Sequence, residues 1–205
     1  MLQIRIHGRG GQGVVSAAEM LSLAAFEQGR HAQAFPSFGS ERSGAPVVAF
    51  CRIDDREIRL REPILAPDVL IVQDPTLLHQ VDVFQGLRPD GWVLINTRRS
   101  FDELGLAEIA RRFRHERLTT VPASDIALRH LGRPLPNAVL LGGFAALAGL
   151  VTLEAVSHAI RHTFTGLSMA PLGLGYITML FTKQNLALHD IICNTRVIRV
   201  KKMGT

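Results

Sequence analysis

Three glycines near the amino terminus have a spacing that can do chemistry: Gly8, Gly10 and Gly13 in His7-Gly8-Arg9-Gly10-Gly11-Gln12-Gly13 fit G-x-G-x-x-G. Glycine at this spacing lets a chain turn sharply, keeps backbone clear of a bound group and lets a helix pack on a strand. The flanks suit that role. Residues 2–7 alternate apolar and polar as a short strand, and residues 14–28 carry apolar side chains at helical spacing. A helix beginning there aims free N–H groups and the positive end of its dipole at one point, a seat for phosphate or carboxylate. Arg9 adds a fork of donors and Gln12 an amide, both suited to gripping an anion. A purely structural tight turn is the competing reading. A dinucleotide site would also need an acid at the end of the second strand, to hold the ribose. That strand ends in Ala34-Phe35-Pro36-Ser37, with Glu27 before it and Glu41 well beyond, which argues against nicotinamide.

Other chemistry-bearing residues are few. Glu41 and Arg42 lie in a loop, residues 36–46, punctuated by two prolines and two glycines. Such a loop near a glycine turn is where sites are found, although a solvated ion pair would look the same. His7 reads as a hydrogen-bonded structural histidine rather than an acid or base. Cys51 and Cys193 are the only cysteines and form no C-x-x-C, so the four thiolates of an iron–sulfur cluster are missing. Cys51 sits in an apolar run and reads as a buried, inert thiol. There is no His-Glu-x-x-His zinc pattern and no Gly-x-Ser-x-Gly elbow. No metal site is expected on this chain.

The elements that must position these residues follow from apolar runs and breakers. Strands are expected at 31–35, 47–53, 69–72, 92–95 and 118–121. Asp54-Asp55-Arg56 should turn the strand at 47–53 into a hairpin with 57–60. The first helix should stop at Gly29. A capping box, Ser100 to Glu103, should open a helix to about Phe113, and a helix from Ser124 should stop at Gly132. A helix from Ala138 is apolar all round and hence buried, with Gly142-Gly143 open to a close backbone approach. Thr152 should cap the last helix, 153–164. The polar face of the first strand, Gln3, Arg5 and His7, should meet a partner or an adjacent layer. Strands alternating with helices give an α/β fold, a Rossmann-like three-layer domain with a largely parallel sheet and a small hairpin.

An apolar share of 47% in 205 residues is ample for one core. The organisation expected is a domain over 1–165 and an atypical tail over 166–205. Residues 1–165 hold 18 Arg, no Lys and 17 acids, a net of +1; residues 166–205 hold 3 Lys, 2 Arg and 1 Asp, a net of +4. The body therefore has no basic stripe, and no nucleic-acid partner is expected. Residues 138–151, the longest apolar run, are too short to span a bilayer, and no leader is visible. A cytoplasmic chain without membrane association is the expectation. The tail also holds the only Tyr, Tyr176, and three of five Met. A separately acquired segment, by read-through or frameshift, and an ordinary carboxy-terminal arm both explain that bias.

The stretch from His7 to Glu19 closely resembles the opening of the gamma subunit of 2-oxoacid:ferredoxin oxidoreductases of the pyruvate or ketoisovalerate type. Phe35-Pro36-Ser37-Phe38-Gly39-Ser40-Glu41-Arg42-Ser43-Gly44-Ala45-Pro46-Val47 resembles that family's next signature, from which Ser40 and Ser43 depart. Pro134-Leu135-Pro136-Asn137 and the helix after it also resemble the family; the likeness covers residues 2–164. The resemblance implies oxidative decarboxylation of a 2-oxoacid, pyruvate first among candidates, to an acyl-coenzyme A. It implies a donor with an oxo group and an iron–sulfur protein, ferredoxin, as acceptor. Thiamine diphosphate, Mg and iron–sulfur clusters would sit on partner alpha, beta and ferredoxin-like delta subunits; this chain has no Gly-Asp-Gly to hold the first two. The gamma chain would contribute to coenzyme A binding and assembly through Gly8, Arg9, Gly10, Gly11, Gln12 and Gly13, with Glu41 and Arg42 nearby and no catalytic residue of its own. A homodimer is open to the chain when expressed alone. The alternatives are a stand-alone nucleotide-binding protein and a non-catalytic assembly module.

The isolated chain is expected to be inactive. Assayed with pyruvate and ferredoxin or viologen it should give no turnover, and turnover by this polypeptide alone would contradict the division of labour.

Overall fold

In the computed structural model, which describes residues 1–37, 44–60 and 62–168, six strands form one sheet. The strands are β1 (Leu2–Arg9), β2 (His31–Pro36), β3 (Pro46–Asp54), β4 (Val69–Val72), β5 (Trp92–Asn96) and β6 (Leu118–Val121). Their order is β2-β3-β1-β4-β5-β6. β1, β4, β5 and β6 run parallel, while β3 pairs antiparallel with both β1 and β2. The expected Rossmann-like α/β domain is therefore present, with four parallel strands ending at one edge.

The central strands are short apolar runs bounded by proline, aspartate and glycine, and they are buried on both faces as parallel strands must be. One face carries α1 (Val14–Glu27), α3 (Ala123–Leu131), α4 (Asn137–Ala148) and α5 (Leu153–Ser168). Ile4, Ile6, Val69, Ile71 and Leu94 meet Ala17, Leu21, Leu140 and Phe144 there. The other face is covered by chain from residues 77–106, with Leu70, Val72, Val93 and Ile95 against Leu77, Val83, Leu87, Leu104 and Leu106. Gly143 does bring α4 close, but to side chains of Leu94 and Val121 rather than to another backbone. Gly29, Gly132 and Gly149 take positive φ just past the helices they end, and the Thr152 hydroxyl accepts from the amide of Ala155.

Two expectations are corrected. Residues 57–60 form no strand; the hairpin is β2 with β3, because β3 already has a neighbour on each edge. The carbonyls of Leu60 and Glu62 meet a side chain of β3 instead. There the buried Arg52 guanidinium donates to the carbonyl oxygens of Leu60 and Glu62 and lies 5.0 Å from the centre of the Phe35 ring. The capping box does form, with Ser100 N 2.7 Å from Glu103 Oε2. The helix it opens closes after one turn, since Gly105 takes φ 72 and Leu106 N donates back to Phe101 O. Only Ala107–Ala110, α2, is helical beyond it. α5 passes the expected domain limit to end at Ser168, and the rest of the tail lies outside the described residues.

The polar face of β1 meets the molecule's own second layer. Arg5 donates to the carbonyls of Val83 at 2.8 Å and Gln85 at 2.6 Å, and it is buried. His7, two residues on, is buried and its Nε2 has no partner. Burial, and secondarily the charge of Arg5, push the imidazole down to about 4 from an ordinary 6.5. The folded chain thus holds His7 neutral, while the unfolded chain takes up a proton below 6.5. Stability is unaffected above that pH and falls as pH drops towards 4, by about 3 kcal/mol in total. Denaturation curves from pH 7 to 4 should show this loss, and His7→Gln should flatten it; an unchanged slope would contradict it. Gly86 tests the second layer. At φ 72, a Cβ there would fall on the Leu65 carbonyl oxygen. Gly86→Ala should cost about 3 kcal/mol or more in chemical denaturation, and a near-neutral result would refute this packing.

Candidate functional site

β1 runs two residues further than an isolated strand would, because Gly8 and Arg9 pair with Val47 and Pro46 of β3. The turn proper is therefore residues 10–13. Each glycine has its own cause. A Cβ on Gly8 would stand 2.6 Å from Val14 Cγ2 and 3.1 Å from Gln73 Cβ, so Gly8 lets α1 start close over the ends of β1 and β4. Gly11 and Gly13 take φ 93 and 70, and a Cβ on Gly13 would fall on the Asn137 side-chain amide. Gly10 joins the second motif: its N–H donates to Ala45 O at 2.9 Å, and Gly44 N donates to Gly10 O at 3.1 Å. The two sequence motifs are thus brought together by main-chain bonds. Glu41 and Arg42 themselves lie outside the described residues.

Gly13 sits at the start of α1, whose first turn carries no acid and receives no side-chain cap. The N–H groups of that turn are directed at the carboxyl edge of the parallel strands, the edge at which α/β sheets bind ligands. The start of α4 stands beside it. Asn137, buried and first in that helix, accepts from Ala138 N through Oδ1 at 2.8 Å and turns Nδ2 to Gly13 O at 3.5 Å.

Arg9 departs from the expectation that its fork faces an anion. Its Nε pairs with Asp74 Oδ2 at 3.1 Å, and its terminal nitrogens donate to Gly44 O, Thr76 Oγ1 and Gln80 Oε1 at 3.0, 2.7 and 3.0 Å. Gln12 is likewise turned inward, accepting from Arg9 N at 2.8 Å and donating to Asp74 Oδ2 at 2.9 Å. Burial pushes the Asp74 carboxyl up, but hydrogen bonds from Thr76 and Gln12 and the charge of Arg9 outweigh it and hold the carboxyl below its ordinary value. Arg9 and Gln12 thus tie the turn to Asp74, and the N–H groups of Arg9, Gly10 and Gln12 donate within the protein as well.

Sequence reasoning passed over four residues at this edge. Gln73, which ends β4, is 1% exposed, and neither Nε2 nor Oε1 has a partner. It follows Val69 and Ile71 onto the face of the sheet that carries α1. Asn96, which ends β5, donates to Gln73 O at 2.7 Å and Ser124 Oγ at 2.8 Å, and accepts from Ser124 N at 3.0 Å. Asp74 follows Gln73, and Asn137 opens α4 beside Gly13. The usable signal for Gln73 and Asn96 was their position at the ends of buried runs. Cys51, by contrast, is fully buried and its thiol is pushed up to about 12, an inert core residue.

Among the described residues no group of His, Cys, Asp and Glu could hold a metal ion, and no helix is long and apolar enough to cross a membrane. The edge can seat an anionic or amide-bearing group.

Comparison with known proteins supplies the setting. The sequence model of the family described as pyruvate ferredoxin/flavodoxin oxidoreductase matches residues 3–172. The chain is 50% identical over 166 residues to the pyruvate/ketoisovalerate oxidoreductases common subunit gamma of Pyrococcus abyssi, covering 81% of this chain and 88% of that protein. It is 38% identical to the crystal structure of pyruvate oxidoreductase subunit PORC from Thermotoga maritima, with a TM-score of 0.66 over 79% of this chain and 84% of that one. A 2-oxoglutarate:ferredoxin oxidoreductase from Magnetococcus marinus, solved with 2-oxoglutarate, coenzyme A and succinyl-CoA bound, shares the fold. Its TM-score is 0.62 at 17% identity, over 87% of this chain and 28% of that one. The chain belongs to the pyruvate ferredoxin/flavodoxin oxidoreductase family, as a gamma subunit of the pyruvate/ketoisovalerate type.

Proposed function

We propose that this gamma subunit serves coenzyme A in an enzyme that oxidatively decarboxylates a 2-oxoacid, pyruvate foremost, and passes the electrons to ferredoxin. Thiamine diphosphate, Mg and iron–sulfur clusters reside on partner alpha, beta and ferredoxin-like delta subunits, and the chain alone is inactive. The observation that carries the reading is the uncapped start of α1, set at the carboxyl edge of the sheet with the second sequence motif tied to it.

The residues present fit the cofactor. Coenzyme A offers a pyrophosphate and an arm bearing amides and a thiol. The N–H groups of Gly11, Gly13 and the first turn of α1 would receive the phosphates, those of Arg9, Gly10 and Gln12 being bonded within the protein. Arg42 is the cation expected to join them, and Glu41 lies in the same loop; Arg9 and Gln12 act by holding the loop. Gly8 and Gly13 are packed against Val14, Gln73 and Asn137, whereas the space beside Gly11 is open. The cofactor supplies the thiol that accepts the acyl group; this chain binds, orients and keeps the arm directed at the partner's reaction centre. A stand-alone nucleotide-binding protein is disfavoured because β2 ends in Phe35 and Pro36, where a ribose would need an acid.

Gly11 offers the cleanest test. Its Cβ position has nothing within 4 Å, and Asn is the side chain that best tolerates φ 93. Gly11→Asn should leave the complex assembled and weaken coenzyme A at least about tenfold, about 1.4 kcal/mol, by occupying the ligand's space. Calorimetric titration of the assembled enzyme decides it. Unchanged affinity would contradict the reading, and loss of assembly alone would favour a non-catalytic assembly module.

A further inference from the structure

Asp74 lies two residues past β4, and no contact proposed above for the ligand uses it. Yet its carboxylate is where two distant loops are joined. Oδ2 accepts from Arg9 Nε at 3.1 Å and from Gln12 Nε2 at 2.9 Å, both in the glycine loop. Oδ1 accepts from Thr76 N at 2.9 Å and Thr76 Oγ1 at 2.6 Å, both in the turn after β4. The same Thr76 hydroxyl oxygen accepts from Arg9, and Gln12 Oε1 accepts from Arg9 N, so the bonds close into rings rather than a chain. Arg9 extends the network to Gly44 O, within the second motif. The turn held in this way contains Gly10, Gly11 and Gly13, residues with the widest backbone freedom of any. Left to itself such a turn samples many shapes, few of which present the amides of α1 together.

We infer that Asp74 is a positioning residue, holding the 10–13 turn through Arg9 and Gln12 in the shape that receives coenzyme A without touching the ligand. The inference rests on the glycine loop being the coenzyme A phosphate site. Charge makes it testable by sign. A carboxylate next to a phosphate site repels the ligand, and it also occupies Arg9. Were Arg9 the ligand's own cation, deleting Asp74 would release Arg9, remove the repulsion and tighten binding. With Asp74 as the anchor of the loop, deleting it loosens binding despite the electrostatic gain.

The experiment uses the assembled complex, titrated with coenzyme A by calorimetry, for the wild type, Asp74→Ala, Arg9→Ala and the double variant. Each single change should weaken binding about tenfold. The double should be no worse than the weaker single within about twofold, since both dismantle one network. In turnover, KM for coenzyme A should rise by more than kcat falls. Hydrogen exchange of a peptide spanning residues 8–16, without coenzyme A, should be faster in Asp74→Ala. Tighter or unchanged binding in Asp74→Ala, or additive losses, would overturn the inference. If Asp74→Ala does not assemble, Asp74→Asn and Thr76→Val carry the same comparison, each expected to weaken binding. Loss of binding in Gly11→Asn with full binding in Asp74→Ala removes the positioning role and keeps the loop as the site. Full binding in both removes the loop as well.

Discussion

The approach of α1 to the ends of β1 and β4 is the constraint on which the rest of the molecule depends. The helix begins so close to the strands that a methyl group at residue 8 would meet Val14 and Gln73, and one at residue 13 would meet Asn137. Glycine at both positions lets the helix start there. Having started, α1 carries Ala17, Ala18, Leu21, Ala24 and Ala25 onto the sheet, small side chains that keep the helix near it along its length. α4 and α5 then pack against the same helix, and the apolar α4 is buried from Asn137 to Ala145, Gly143 only partly, while Ala146 and Leu147 of its last turn are exposed. One close contact therefore sets the helical layer and also leaves a helix terminus open at the edge where ligands enter.

The fold was largely legible because its strands carry their boundaries with them. Val69 to Val72 lies between Pro67-Asp68 and Asp74-Pro75, and Trp92 to Ile95 follows Pro89-Asp90-Gly91, so length and period leave little choice. What misled was chemistry that depends on distant partners. Residues 57–60 have the apolar and polar alternation of a return strand. Whether they pair depends on an open edge of β3, and β1 and β2 had taken both. Ser100 and Glu103 form the capping box expected of them, but Gly105 ends the helix before it lengthens. Local signals announced these starts correctly and could not announce their competitors.

The site shows the same division. Its main-chain part was readable, because G-x-G-x-x-G between strand and helix has few geometries. Its side-chain part was not. A guanidinium near a glycine loop can face a phosphate or a carboxylate, and only the fold shows that Asp74, 65 residues away, claims it. Gln73, Asn96 and Asn137 come from three separate strand ends or helix starts. They converge because parallel strands finish at one edge.

The central claim is that coenzyme A meets the turn and the first amides of α1. Hydrogen exchange on the assembled enzyme, with and without saturating coenzyme A, tests it most directly. The account predicts slowed exchange concentrated in residues 8–16, with β5 and β6 unchanged. Saturation by coenzyme A with no change in residues 8–16 would contradict it.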